Sequence, residues 1–563
     1  MKELGLYFVL GMDKKHISKL LKYEYFMISI ITIGISCILS VLCGKVLFLL
    51  ILHILAQPIQ FGFVISKSAL MEMCIFYIIV FFLLYLYAVI NINRMNPIQL
   101  LNRYRMHEKE PKTKIIRTII GMVCLVVGYG IALSIDNPLT SLLMFFVAVL
   151  LVIIATYLLF SAGSIILFKL LRKNKRYYYQ FHHFITVSNM LHRMNHNANS
   201  LASICLLSTM ILVVASSTTS LWLGNEDILN KRVPRDIVIE TRNQQEILKI
   251  DNYLKQQHIE IKKPIKYQSL SFTAYQKNDG YTIDTSNLST VDLLNMETLV
   301  IMPLSDFNTI EDKNYTLSND DEIYIYSSKK RYEKSNFTFM NQIYAVKDEI
   351  TSMQENGNIS AEITNSIYVI VKDEKVLEKF YQIQSNYYKQ YRSNSKYYYA
   401  FDTNHQTIYE DLLKLQLNAT IESKSMLRND MLSLYGGLFF IGIYISILFL
   451  AMLVFIMYYK QINEGYQDQQ RYKIMQKIGL EKHDVKKIIT SQVKTIFYLP
   501  LCFSFLHICF AFPFIVKILK VFLLDNVTFT FQVFVGNCTI FAVTYILIYL
   551  MSAKTYYKIL AVS

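Results

Sequence analysis

Four histidines crowd one short stretch of this 563-residue chain: His182, His183, His192 and His196. Imidazoles so placed are candidate metal ligands, but a metal site needs convergent ligands steadied by a second layer of hydrogen bonds. The stretch is basic, with Lys169, Arg172, Lys173, Lys175, Arg176 and Arg193. Solvated or headgroup-facing rings are therefore the simpler reading. His507 stands inside an apolar run. It could pass a proton or touch a ligand, because polar groups in hydrocarbon are costly and often functional. A hydrogen bond between helices is the favoured reading. Glu72, near the end of another apolar run, reads as a carboxylate reaching the headgroup region in preference to a contact for a cationic ligand. No GxxxxGK[ST] phosphate loop occurs, and Gly44-Lys45 lacks the earlier glycine. HExxH and GxSxG are absent too. The chain offers no catalytic residues, no metal set and no cradle for ATP, so an energy source would have to come from a partner.

The elements that carry these residues are membrane spans. The chain is 53% hydrophobic and 14% aromatic, and the apolar excess is gathered into runs long enough to cross a ~30 Å hydrocarbon core. They cover about 24–45, 67–92, 116–135, 140–170, 199–222, 432–458, 491–516 and 533–552. Net charge is +15, unevenly spread. Residues 223–430 hold 25 Lys and Arg against 30 Asp and Glu, and the rest holds 32 against 12. Basic clusters in 13–22, 94–117, 169–193, 460–487 and 554–558 all fall on one side when spans are counted between them. By the positive-inside rule that side is cytoplasmic, with both termini, and 223–431 is extracellular. A nucleic-acid binder would carry a basic stripe on a soluble domain instead. Trp222 closes a span at the outer surface, where amphipathic rings favour the interface. The first residues lack the charged and small-residue flanks of a signal peptide. All eight cysteines fall in apolar runs and read as small apolar fillers.

The acidic segment 223–431 reads as a folded α+β domain. Strand-like runs are Asp236–Glu240, Tyr267–Tyr275, Glu322–Ser327, Ser366–Lys372 and Tyr397–Asp402, and helix-like runs lie near 243–258, 375–392 and 405–416. The triplet Tyr397–Tyr399 reads as packed strand, whereas Tyr177–Tyr179 reads as an interfacial anchor. The fold class is an α-helical polytopic membrane protein of about eight transmembrane helices with one α+β extracellular domain.

Two segments repeat. KELGLYFVLGMDKKHISKLLKYE (2–24) aligns with QRYKIMQKIGLEKHDVKKIITSQ (470–492) at an offset of 468. Leu10 then pairs with Ile478, Gly11 with Gly479, Met12 with Leu480, Asp13 with Glu481 and Lys14 with Lys482. Glycine suits the left-handed residue that ends a helix, and an acid after it favours the first turn of the next through the macrodipole. Each copy reads as helix–glycine–helix with an amphipathic, surface-lying second helix. Such an element can carry a partner's movement into the span that follows. Glu24 and Gln492, equivalent in the repeat at the inner ends of those spans, read equally as hydrogen-bonding groups at the coupling junction and as simple interface residues. The second copy follows a span and the first does not, so a span is expected before residue 1.

The chain resembles the FtsX-like permease family, and within it the bacitracin-export branch. The resemblance rests on KELGLYFVLGMDKKHI (2–17), KEPKTKIIRTIIGMVCLVVGYGIAL (109–133), FFVAVLLVIIATYLLFSAGSIILFKLLRKNKRYYY (145–179) and SNMLHRMNHNANSLASICLLSTMILV (188–213). It implies a first coupling segment at 1–23, a first FtsX-like span pair at 24–92, cytoplasmic loops with a central span pair at 93–198 and a further span at 199–222. The extracellular domain follows at 223–431, then a second unit at 432–552 with its coupling segment at 470–490, and a cytoplasmic tail at 553–563. The family has ten spans, so the first two look absent. The resemblance further implies a permease that gives resistance to and senses peptide antibiotics of the bacitracin or lantibiotic type in Gram-positive bacteria. Its partners would be two copies of a cytoplasmic ATPase holding ATP and Mg, a membrane histidine kinase, the bilayer, and the antibiotic or its lipid-carrier complex, with no nucleic acid. The chain itself holds no cofactor. Coupling to the ATPase would fall to Leu10, Gly11, Met12, Asp13, Lys14 and Lys15, and to Ile478, Gly479, Leu480, Glu481 and Lys482. No substrate-binding residue is identified. The alternatives are a mechanotransmission subunit controlling a cell-wall hydrolase or sensor kinase without transport, and an inactive truncated permease.

Overall fold

The computed structural model describes residues 7, 10–55, 65–94, 115–135, 138–179, 181–277, 280–285, 296–328, 331–351, 353, 365–389, 392–405, 407–477 and 482–561. Two compact units emerge, Met1–Thr113 with Val187–His196, and Lys114–Thr186 with Asn197–Ser563. In the first, α1 (Lys14–Ile54) packs against α2 (Lys67–Arg94). The second opens with α3 (Ile115–Ser134) and α4 (Pro138–Leu158), which runs through a π turn at Leu159–Gly163 into α5 (Ser164–Lys173). After one short turn comes α6 (Phe181–Leu223), whose residues 187–196 group with the first unit. The chain closes with α12 (Lys424–Lys477), α13 (Lys482–Val521) and α14 (Val527–Ala561). Among the described residues eight helices are long and apolar enough to cross a membrane, one for each expected run. The chain is a polytopic membrane protein.

Between α6 and α12 lies the sheet domain. It opens with α7 (Asn225–Arg232) and holds α8 (Gln244–Gln256), α9 (Leu304–Glu311), α10 (Glu374–Tyr388) and α11 (Ile408–Lys414). Its strands are β1 (Ile237–Thr241), β2 (Ile261–Lys277), β3 (Gly280–Thr282), β4 (Met296–Pro303), β5 (Glu322–Ser327), β6 (Asn336–Phe339), β7 (Gln342–Glu349), β8 (Asn365–Val371), β9 (Lys396–Thr403) and β10 (Ala419–Ser423). The order is β10-β1-β9-β2-β3-β6-β7-β5-β8-β4, and β2 also pairs with β4, so seven of the ten close a ring. The long β2 makes this possible. Ile261–Ser269 pairs with β9, and Leu270–Tyr275 pairs with β4.

Alternation decides which faces pack. Leu270, Phe272 and Ala274 of β2 join Leu299, Ile301, Ile367 and Val369 around Phe380 of α10. Ile237 and Ile239 of β1 meet Ile247 and Ile250 of α8 and Leu412 of α11. Asp373 accepts from the Val376 N–H at 3.0 Å and so caps α10, and Asn243 does the same for α8 through Gln245. Met340 and Asn341, both at positive φ, make the two-residue turn between β6 and β7.

All five expected strand runs are strands and all three helix-like runs are helices. Five further strands, α7 and α9 escaped the reading. β4 is buried along nearly its whole length, so its sequence METLVIMP shows no alternation to detect. Tyr398 and Tyr399 are buried in the sheet, as packed strand requires.

Candidate functional site

The first repeat copy is a built corner. The Met12 N–H reaches back to the Tyr7 carbonyl at 3.0 Å, the six-to-one bond of a Schellman helix ending. Gly11 sits between them at φ +90°, the left-handed backbone that this ending demands and that only glycine adopts without penalty. Asp13 is extended, and its carbonyl accepts from His16 and Ile17 to start α1. Its carboxylate makes no cap bond and acts on the helix start through the macrodipole.

Hydrophobic packing fixes this corner to the other span. Ile17 and Leu21 of α1 bury against Ile92 of α2, with Met12, Tyr25, Tyr85 and Ala88 around them. Lys14 donates from Nζ to the Asn93 carbonyl at 3.0 Å. The residue four beyond Asn93 is Pro97, which has no N–H, so the Asn93 carbonyl lacks the usual intrahelical donor, and a cation there also suits the helix dipole. The six expected residues thus divide. Met12 and Lys14 turn inward onto the spans. Leu10, Gly11, Asp13 and Lys15 are exposed, and Leu10 is 70% exposed despite its apolar side chain.

Residues 1–97, which hold this corner and both its spans, match the FtsX-like permease C-terminal family. That segment is similar to an FtsX-like permease domain. A curated relative, the ABC transporter permease protein YxdM of Bacillus subtilis strain 168, is 22% identical over 533 residues, which is 91% of this chain and 79% of that protein.

Of the second repeat copy, Ile478, Gly479, Leu480 and Glu481 lie outside the described residues, and Lys482 is described as helical without its side chain. At the repeat offset Lys482 is the equivalent of Lys14, and both are helical.

His507 is a tie between three spans. Its Nδ1 lies 2.7 Å from the Tyr129 hydroxyl of α3 and its Nε2 lies 3.1 Å from Thr156 Oγ1 of α4. Thr156 already donates to the Val152 carbonyl at 2.7 Å, so it must accept from a proton on Nε2. Tyr129 then donates to Nδ1. Both ring nitrogens are satisfied by a neutral imidazole, which is the interhelical role favoured from sequence. Glu72 and Glu24 are exposed on α2 and α1. Side chains of His182, His183, His192, His196 and Gln492 lie outside the described residues, and among those described no cluster of three metal-binding groups occurs. Tyr179 is exposed, while Tyr178 packs against Phe184. Trp222 stacks on Phe439 of α12 at 5.7 Å, so it serves helix packing. Of the eight free cysteines only Cys205 is buried, so the filler reading fits that one alone.

Sequence reasoning missed two buried carboxylates near the α12 C-terminus. Glu464 accepts from Asn197 of α6 at 2.5 Å, and Asp468 accepts from Tyr556 of α14 at 2.7 Å. Their i, i+4 spacing on one helix face was the available signal. At the other end of α12, Arg428 pairs with Glu226 at 3.0 Å and Lys231 pairs with Asp525.

Proposed function

We propose that this chain is the membrane permease subunit of an ATP-binding-cassette transporter whose ATPase is a separate cytoplasmic protein. The observation that carries the reading is the corner at 10–15 within the FtsX-like domain. An exposed apolar knob, Leu10, sits on a glycine-defined turn that is hydrogen-bonded and packed onto the ends of two spans. A partner that grips the knob moves both span ends together. The similarity to a Bacillus ABC transporter permease along most of the chain supports the same reading. Leu10 through Lys15 and Ile478 through Lys482 are the proposed ATPase-coupling residues, both termini are proposed to be cytoplasmic, and the sheet domain extracellular. The test is co-expression with the neighbouring ATPase. Leu10→Asp is expected to weaken capture of the ATPase by the permease, while Leu248→Asp in the sheet domain leaves it unchanged. Equal capture by both variants counts against this reading.

The finer reading is resistance to, and sensing of, peptide antibiotics that act on cell-wall lipid intermediates, with a membrane histidine kinase as reporter. Its support is the order and spacing of the stretches resembling the bacitracin-export branch, and the large sheet domain between the fifth and sixth of the eight spans. Expression with the ATPase is expected to raise the bacitracin or lantibiotic concentration that cells survive, and no change would sink the substrate class. A second reading, force transmission to a cell-wall hydrolase or sensor kinase without transport, is favoured by one feature. α12 starts one residue after β10 and continues unbroken to Lys477, about 80 Å at the helical rise. ATPase stimulation insensitive to antibiotics, with a hydrolase co-purifying, would select it.

A further inference from the structure

Two thiols face each other inside the first unit. Cys37 of α1 and Cys74 of α2 place their Sγ atoms 3.7 Å apart, and both side chains are half-buried. That spacing is sulfur–sulfur contact, and a disulfide bond is about 2.0 Å long, so modest rotation about the side-chain torsions and a small helix shift would close it. Depth along the two helices agrees. Cys37 lies 12 residues beyond Tyr25, about 18 Å into the apolar part of α1. Cys74 lies seven residues after Lys67, the first residue of α2, about 10 Å from that end. Both sulfurs therefore sit in hydrocarbon, in the half of the membrane nearer the α1–α2 connection and far from the Lys14–Asn93 corner.

We infer that Cys37 and Cys74 form an oxidisable dithiol that a lipid-soluble quinone converts to a disulfide across the first span pair. The step balances. Two S–H bonds break and one S–S bond forms. Two electrons and two protons pass to the quinone, which becomes the hydroquinone. Water-soluble oxidants are poor agents here because neither they nor the thiolates they need enter hydrocarbon cheaply. The bond would pin α1 to α2 at a second point. Already joined at one end through Ile17, Leu21, Ile92 and Lys14, the two helices could then neither splay nor slide. This consequence for coupling rests on the permease reading; the cross-link itself does not.

The experiment uses the full chain in phospholipid nanodiscs, treated with a fully substituted quinone that has no ring position for thiol addition. Loss of two alkylatable thiols and a mass-spectrometric peptide pair joining Cys37 to Cys74 are expected. Cys37→Ser and Cys74→Ser should each abolish the pair, and ferricyanide in the aqueous phase should form little of it. Failure of both the quinone and diamide to join the two residues, or preferential joining of either to Cys43, would overturn the assignment. With the ATPase added, cross-linked protein is expected to lose permease-dependent ATP turnover and regain it on reduction. Unchanged turnover in fully cross-linked protein refutes the clamp. Absence of permease-dependent turnover in the reduced protein counts against the permease reading, and the cross-link remains measurable.

Discussion

Lys14 and Asn93 join the first residue of one span helix to the last turn of the next, through an ammonium-to-carbonyl bond of 3.0 Å. The link is intramolecular, so on the permease reading proposed above Lys14 would pass movement on, and the exposed Leu10 and Lys15 would receive it. Lys14→Met keeps the aliphatic stem and removes a bond worth about 0.5–1.5 kcal/mol. The expected outcome is a permease that still captures its ATPase while permease-dependent ATP turnover falls severalfold. Weakened capture with normal turnover per complex would mean that Lys14 faces the partner instead.

Gly11 separates backbone conformation from crowding. A Cβ added there would meet nothing within 4 Å, yet φ is +90°. Gly11→Ala therefore costs only the left-handed penalty, about 1–2 kcal/mol, and Gly11→Asn costs less because asparagine tolerates that region. Permease-dependent ATP turnover should rank glycine, asparagine, alanine in descending order. Equal activity of all three would show that the turn does not need its shape.

How much of this was legible beforehand differs by element. Span-length apolar runs announce themselves, and so does a repeated glycine-acid-lysine signature, at Gly11 to Lys14 and Gly479 to Lys482. Strands such as β2 were legible because buried and half-buried residues alternate along much of Tyr267–Tyr275. β4 was not, because burial on both faces erases the alternation. The Lys14 bond was invisible because its acceptor is a backbone carbonyl, which any residue supplies. Glu464 and Asp468 were passed over because carboxylates near a helix end read as solvated until Asn197 and Tyr556 are brought against them.

The approach of α6 to α12 admits a paired test. A Cβ on Gly442 would stand 2.4 Å from Thr218 Oγ1, 2.5 Å from its Cγ2 and 2.8 Å from its Cβ. Gly442→Ala must push the helices apart, at an overpacking cost of about 1–3 kcal/mol. Thr218→Ala removes the two nearest atoms and leaves the third. The double variant should recover part of the lost thermal stability in detergent, more than the sum of the single changes gives. Strict additivity would mean that the two residues do not touch.

His507 is predicted to be structural. His507→Phe leaves the Tyr129 hydroxyl without its acceptor, while Thr156 keeps the Val152 carbonyl. Interhelical bonds in membranes contribute about 0.6 kcal/mol on average and up to about 1.7. A loss of that size in thermal stability is expected, and adding Tyr129→Phe should recover much of it by removing the stranded hydroxyl. Loss of transport with stability unchanged would return His507 to the list of functional groups.

In the sheet domain, Asp306 accepts the Gln268 N–H at 2.7 Å. Desolvation by burial is the larger influence and raises its pKa above the ordinary carboxylate value, and the bonds from Gln268 and Ser305 only partly offset it. A raised pKa in the folded state means that the unfolded chain gives up this proton first as pH rises. Stability contributed by the protonated form is therefore full below about pH 4, the unfolded value, and is lost as pH climbs through the folded one. Asp306→Asn keeps an oxygen for Gln268 and never carries the charge. The variant should match the parent at low pH and exceed it in sheet-domain stability at neutral pH, measured by hydrogen exchange at Gln268 in the full chain. A variant less stable at neutral pH would mean that the charged carboxylate, through its bond to Gln268, holds β2 against α9 more strongly than burial opposes it.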